Sequence, residues 1–244
     1  MRGSGRGNHR EVFEVDETSL DFHSLWFVKM MQQKKKNIKQ AKKVHESIER
    51  ALWEAKAIKI DTVNQFKLAS GNLSPIYVDC RKLISYPNVM DVIAENAKRM
   101  IEKEIGSVDV LAGGETAGIP FAAWVAAKLG KSMAYVRKEK KGYGAGKQVE
   151  GDMQKGEKVL LVEDLITDGG SKIVFIDGIR NEGGEITDCL VVFDRQQGGG
   201  KKLAEKSVKL WALTNLEKLL KFGLDNKYMS QKDFDIVRNY LSKN

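Results

Sequence analysis

The chain has 244 residues, of which 42% are hydrophobic and 30% charged, with three prolines; this suits one α/β core with an appendage and excludes two full catalytic domains or a largely disordered chain. No apolar run reaches the ~18–20 residues that span a bilayer, the amino terminus has no apolar secretory core, and Cys80 and Cys189, without CxxC partners, exclude a disulfide framework or zinc ribbon. The lone thiols point to a reducing cytoplasm, and the net charge of +8 (41 basic, 33 acidic residues) suits either simple solubility or polyanionic ligands.

Residues 1–10 are glycine-rich and basic and read as a disordered tail. Scattered apolar groups follow (Phe22, Leu25, Trp26, Phe27, Met30), then Lys34-Lys35-Lys36. That run reads as a solvated face, with nucleic-acid contact as the other reading. Residues 1–40 are expected to form an extension, partly helical or disordered, and 41–244 the main domain. From Ile38, the groups Val44, Ile48, Ala51, Leu52 and Ala55 recur at helical spacing, opposite Lys39, Lys42 and Lys43. A turn at 71–75 leads into a short strand at 76–78. A helix is predicted over 90–105, a strand over 108–112, a helix over 117–129 and strands over 133–136 and 159–162. Then come a helix over 171–181 closed by Gly183-Gly184, strands over 186–193 and 207–211, and a helical end from Asn215. Apolar strands joined by helices predict a doubly wound, mostly parallel, five-stranded sheet with both faces covered. Residues 137–158 break the pattern: they are polar, rich in glycine and lysine, and lie between two strands. Such a loop inside a compact α/β domain is functional or disordered.

The strongest chemical feature is the segment 159–171. Four apolar residues make a buried strand, Glu163 and Asp164 stand at its carboxyl end, and Leu165-Ile166-Thr167-Asp168-Gly169-Gly170-Ser171 turns into a helix. Ligands of open α/β sheets bind outside the carboxyl ends of strands. The glycines let backbone N–H groups approach an anion, and the helix amino terminus favours phosphate. Adjacent carboxylates on an apolar strand are costly unless used, and they suit the hydroxyls of a sugar. A phosphate beside a ribose is the ligand this arrangement describes.

The segment resembles the phosphoribosyl pyrophosphate (PRPP) motif of the type I phosphoribosyltransferases. Three further stretches resemble the orotate phosphoribosyltransferases within that family. Phe66-Lys67-Leu68-Ala69-Ser70-Gly71-Asn72-Leu73-Ser74-Pro75, running into Ile76-Tyr77-Val78-Asp79 and then Arg81 to Pro87, is similar to their orotate-side segment. Gly113-Gly114-Glu115-Thr116-Ala117-Gly118 is similar to the loop under the pyrophosphate, and Arg137-Lys138-Glu139-Lys140-Lys141-Gly142-Tyr143-Gly144 to the mobile catalytic loop. Asp194-Arg195 ends a strand where the family has a base-binding arginine, whose planar fork pairs with a carboxylate. The likeness covers about residues 44–220.

The resemblance implies the type I fold, with a small hood from 41–85 and a mobile loop over 137–158. It implies transfer of phosphoribose from PRPP to orotate, with Lys141, Arg137, Lys138 and Asp164 catalytic. PRPP is expected to meet Arg137, Lys138, Lys141, Tyr143 and residues 163–171 (Glu163, Asp164, Leu165, Ile166, Thr167, Asp168, Gly169, Gly170, Ser171). Orotate is expected to meet Tyr77, Val78, Thr167 and Arg195. Mg2+ is expected as cofactor, held mainly by the substrate with no direct protein ligand. A cytoplasmic homodimer with loop-shared sites is implied, and association with the decarboxylase that consumes orotidine monophosphate stands open; neither nucleic acid nor membrane is an expected partner. Three departures stand out: Ala69 where many members have a lysine, Thr116-Ala117 where some have Tyr-Lys, and Tyr143 for a common histidine. The alternatives are a transferase for another base, against which the 66–79 segment and Arg195 argue, and a nucleotide-sensing transcription regulator, against which the Lys141 loop and the lack of a helix-turn-helix pattern argue.

Overall fold

The computed structural model describes residues 29–31, 47–67, 71–140 and 147–242. The chain divides into two compact units, Met1–Val44 and His45–Asn244. In the first, residues 29–31 are helical and exposed; the other expectations for 1–40, including the lysine run, lie outside the described residues. In the second, the helix expected from Ile38 is described from Ser47 onward. The Ser47 hydroxyl accepts the Arg50 N–H at 3.3 Å and caps α1 (Ile48–Glu54), which buries Ile48, Ala51 and Leu52.

Four short strands follow: β1 (Ile58–Ile60), β2 (Phe66–Lys67), β3 (Leu73–Ser74) and β4 (Ile76–Val78). β1 pairs antiparallel with β4, and β2 with β3. A 3-10 turn (Cys80–Ser85) leads to α2 (Pro87–Met100), with proline in its first turn and a π turn (Ile101–Ile105) at its end; Gly106, at φ +97°, stops it.

The main sheet contains β5 (Val110–Gly114), β6 (Ser132–Val136), β7 (Val149–Glu150), β8 (Lys158–Ile166), β9 (Glu185–Asp194) and β10 (Lys209–Asn215), in the order β10-β9-β8-β5-β6-β7. Five strands are parallel, but the expected five-stranded sheet is corrected to six: β7 adds an antiparallel edge beside β6. β7 has only two residues, too few to show a period, and it lies within the segment expected as a single polar loop, 137–158. Two other strands differ in extent. β8 continues through both carboxylates to Ile166 rather than ending at Val162. The last strand begins at Lys209, after Ser207 at φ +55°, and ends at Asn215. The Asn215 side chain accepts the Lys218 N–H at 2.9 Å, capping the next helix.

The helices are α3 (Gly118–Leu129), α4 (Gly170–Asn181), α5 (Gly199–Ala204), α6 (Leu216–Asp225) and α7 (Gln231–Leu241). Strand residues alternate between two cores. Leu111, Leu160, Val162 and Leu190 pack with Leu52, Ile93, Phe121 and Leu219, from α1, α2, α3 and α6. Val110, Ala112, Leu161 and Val191 pack with Phe175, Ile176, Ile179 and Leu203, from α4 and α5. Full burial of a side chain such as Phe121 or Phe175 stabilises by roughly 1.5–3 kcal/mol. After β5 the chain adds β6 and β7 on one side, and then crosses to place β8 on the other. The connections after β5 and β8 therefore lead to helices on opposite faces, which opens a crevice at the carboxyl ends of these two strands.

Candidate active site

Alternation along β8 sends Glu163 and Asp164 to opposite faces. Glu163 points toward α4: its Oε2 pairs with Lys172 Nζ at 2.8 Å, and its Oε1 accepts the Gly114 N–H at 2.7 Å. Burial raises the Glu163 carboxyl pKa, opposed mainly by Lys172. Burial acts to lower the Lys172 ammonium, but Glu163 and Asp164 outweigh it and its pKa is raised. Asp164 faces the side of Arg81. Burial raises its pKa too, with Lys172, the Leu165 N–H and Arg81 in opposition.

The turn after β8 brings Thr167, Asp168, Gly169, Gly170 and Ser171 to the amino terminus of α4. Gly169 takes φ +82°, which a side chain would strain, and the first turn of α4 carries no acidic residue. This leaves a helix end suited to an anion. Asp168 is exposed; it accepts the Gly170 N–H at 3.4 Å and lies 3.5 Å from Lys202, and these contacts lower its pKa, the Gly170 bond most. Leu165 and Ile166 pack into the cores with their side chains, so their backbone is what they offer a ligand.

The loop from β5 to α3 is built on close approach. A Cβ at Gly113 would stand 2.7 Å from the Gly118 carbonyl oxygen, and one at Gly114 or Gly118 would overlap the Glu163 carboxylate. Gly118→Ala is expected to destabilise the protein by about 1–3 kcal/mol through overpacking, measured as a lower urea midpoint with unchanged slope. Glu115 Oε2 accepts the Lys138 backbone N–H at 3.0 Å, and the Glu115 N–H donates to the Val136 carbonyl at 2.8 Å. The loop is thus joined to the end of β6, where Arg137 begins the basic segment. Lys141 and Tyr143 lie outside the described residues, as do Ala69 and Ser70. The segment that carries the two loop residues leaves a closed stem: the Arg137 N–H donates to the Gln148 carbonyl at 2.9 Å, and Gln148 Nε2 donates to the Arg137 carbonyl at 2.9 Å. Glu182 Oε1 accepts the N–H groups of Gln148 and Val149.

On the other side of the crevice, Arg195 is half-buried, and burial lowers its pKa against the pull of Tyr240 and Tyr77. Its N–H donates to the Ile166 carbonyl at 3.0 Å, tying the end of β9 to β8. Tyr77 is half-buried, packs near Phe66 with ring centres 5.9 Å apart, and accepts from Arg81 Nη2 at 3.3 Å. Val78 belongs to the core with its side chain. A groove of about 670 Å³ opens beside Arg195, lined also by Gln196, Leu216, Leu220, Phe234 and Arg238; no residue of 163–171 lines it. Among the described residues, no group of three or more His, Cys, Asp or Glu side chains is placed to hold a metal.

Lys172, Gln148 and Glu182 join the site although no sequence motif marks them. A signal existed for Lys172: it occupies the helical position that precedes Phe175, Ile176 and Ile179 on the buried face of α4. Gln148 and Glu182 carried none, because their partners are distant in sequence.

A family model of the phosphoribosyl transferase domain matches residues 82–223. With the doubly wound sheet and the two glycine-built cradles at its switch point, this defines a phosphoribosyltransferase. An orotate phosphoribosyltransferase of Rhizobium rhizogenes is 40% identical over 201 residues, 81% of this chain and 87% of that protein. The structure of an orotate phosphoribosyltransferase from Aeropyrum pernix matches with TM-score 0.63 and 30% identity, covering 72% of this chain and 99% of that one. A UMP synthase from Leishmania donovani matches with TM-score 0.71 and 26% identity, over 81% of this chain and 42% of that one. The chain belongs to the orotate phosphoribosyltransferase family.

Proposed function

We propose that the protein transfers the phosphoribosyl group of PRPP to orotate, giving orotidine 5'-monophosphate and pyrophosphate, within pyrimidine nucleotide synthesis. The observation that carries this reading is that two anion cradles, the turn after β8 and the loop after β5, meet at the carboxyl end of β8, where the buried Glu163 and Asp164 stand. The Thr167–Ser171 turn takes the 5'-phosphate through backbone N–H groups and hydroxyls. Asp164 accepts from the ribose hydroxyls. The Gly113–Gly118 loop, with Arg137, Lys138, Lys141 and Tyr143, takes the pyrophosphate. Arg195 pairs with the orotate carboxylate, and Tyr77, the Val78 backbone and Thr167 bound the ring.

In the reaction the bond from ribose C1 to the pyrophosphate oxygen breaks, and a ring nitrogen of orotate forms the new bond to C1 as its N–H proton passes to the departing pyrophosphate or to water. Negative charge gathers on the leaving pyrophosphate, where the cations of the basic segment stabilise it. Positive character on the ribose faces the Asp164 carboxylate. The hard oxygens suited to magnesium are those of PRPP itself; a bound Mg2+ would neutralise charge on the departing group. Closure of the 138–147 segment from its Arg137–Gln148 stem excludes water from the activated sugar.

The assignment is tested by the loss of orotate absorbance in the presence of PRPP and Mg2+. A parent protein inactive with orotate but active with another base would overturn it. Arg195→Ala is expected to raise the orotate KM by about 10–100-fold, the worth of a charged hydrogen bond, with the PRPP KM little changed. The reading extends to a homodimer with loop-shared sites, to a cytoplasmic location, in keeping with two free buried thiols, and to residues 41–85 acting as the hood over the base. Orotidine monophosphate still carries the orotate carboxylate, which it must lose to become UMP. Association with a decarboxylase is therefore part of the proposal, supported by the likeness to a UMP synthase.

A further inference from the structure

We infer that Glu163 is a positioning residue rather than a ribose ligand: with Lys172 as its counter-ion, it braces both ends of the β5–α3 loop and sets the pyrophosphate subsite, leaving the ribose to Asp164. This rests on the PRPP reading above. Three observations carry it. Both Glu163 oxygens are engaged inside the protein, Oε2 by Lys172 Nζ at 2.8 Å and Oε1 by the Gly114 N–H at 2.7 Å. The carboxylate is enclosed: the residue is 3% exposed, and Gly114 and Gly118 press so close that neither has room for a Cβ. By the alternation of β8, Asp164 shares the face of Val162, away from α4, whereas Glu163 shares the face of Leu161, toward α4 and Lys172.

The geometry gives the brace a specific task. Gly114 ends β5 and Gly118 begins α3, so one carboxylate bonds one end of a single loop and packs tightly against the other. Lys172 sits on α4 directly after Ser171, the last residue of the phosphate turn. The Lys172–Glu163–Gly114 chain therefore joins the two anion cradles and holds the spacing between them, which PRPP must span with its two charged ends. A buried charge that loses its partner is strongly unfavourable, so either single substitution disturbs the loop. Removing both charges relieves the penalty.

The test separates the two halves of the substrate. Inorganic pyrophosphate has no ribose, and orotidine monophosphate has ribose and 5'-phosphate but no pyrophosphate. Each is titrated by calorimetry into the full-length parent, Glu163→Gln, Lys172→Met and the double variant. We expect Glu163→Gln and Lys172→Met to weaken pyrophosphate binding by about tenfold or more, the scale of misplacement effects, with orotidine monophosphate affinity nearly unchanged. The double variant, which removes the Glu163–Lys172 pair as a unit, is expected to recover much of the pyrophosphate affinity lost in Lys172→Met. If Glu163→Gln instead weakens orotidine monophosphate and leaves pyrophosphate unaffected, Glu163 touches the ribose and the inference falls. A double variant no better than Lys172→Met in pyrophosphate binding also overturns it. A parent that binds neither ligand overturns the substrate reading itself, and the inference with it.

Discussion

Asp164→Asn is expected to lose about 10²–10³-fold in kcat, the scale of removing one preorganised electrostatic group, while folding at least as stably as the parent at neutral pH. The first effect follows from position. Asp164 is 7% exposed at the end of β8, and in a dry site its charge acts strongly on the positive character that develops at C1. The second follows from its pKa, which burial raises above the ordinary aspartate value. Between the ordinary and the raised value, the native state binds more protons than the unfolded chain. Stability therefore falls as pH rises through that window, and at neutral pH the ionised Asp164 is a net burden on the fold. Asparagine removes the burden together with the function. Urea midpoints measured beside single-turnover rates check both. A variant with parental kcat would remove Asp164 from the reacting ribose, and one that is inactive but much less stable would show a structural role instead. The parent's kcat/KM is also expected to decline on the acid side as Asp164 takes up its proton at a higher pH than an ordinary aspartate.

Lys141→Ala is expected to lower kcat by a similar factor, about 10²–10³-fold, with the orotate KM far less affected. Lys141 lies outside the described residues, so the expectation rests on the family motif and on the stem that carries the segment. The chain leaves the sheet at Arg137, beside the Glu115 carboxylate that holds the Lys138 N–H, and returns at Gln148, which bonds back to the Arg137 carbonyl. Both ends of the segment are thereby fixed next to the β5–α3 loop, where the leaving pyrophosphate is proposed to lie. A cation delivered from this stem acts on charge that appears only as the C1–O bond breaks, and such an interaction lowers kcat more than substrate binding when removed. Rapid-quench measurement of the chemical step separates this from slow product release. An unchanged single-turnover rate in Lys141→Ala would reassign the loop to binding alone.

Much of the architecture was legible from local pattern. The apolar strands at 108–112, 133–136, 159–162 and 186–193, each near a helical period, were enough for a doubly wound parallel sheet, because a strand buried on both faces must be apolar throughout. Gly169-Gly170 after the carboxylates marked the turn into α4, because only glycine takes φ +82° at position 169 without strain. Where local pattern was thin, the boundaries moved. β7 was hidden in polar sequence, since two residues held by one edge and by Glu182 need no hydrophobic period. β8 ran on past Val162, since its carboxylates find partners that pattern alone does not reveal.

The sequence by itself determined which residues build the strands, which glycines turn the chain, and which segment resembles a phosphoribosyl-binding motif, because these depend on neighbours a few positions apart. Only the tertiary structure decided that Glu163 and Asp164 part company. Their adjacency suggested a shared ligand, but the pleat of β8 turns one toward Lys172 and Gly114 and leaves the other at the crevice. The same holds for the Arg137–Gln148 stem. These contacts join residues far apart along the chain, and sheet register and helix packing bring them within hydrogen-bond reach.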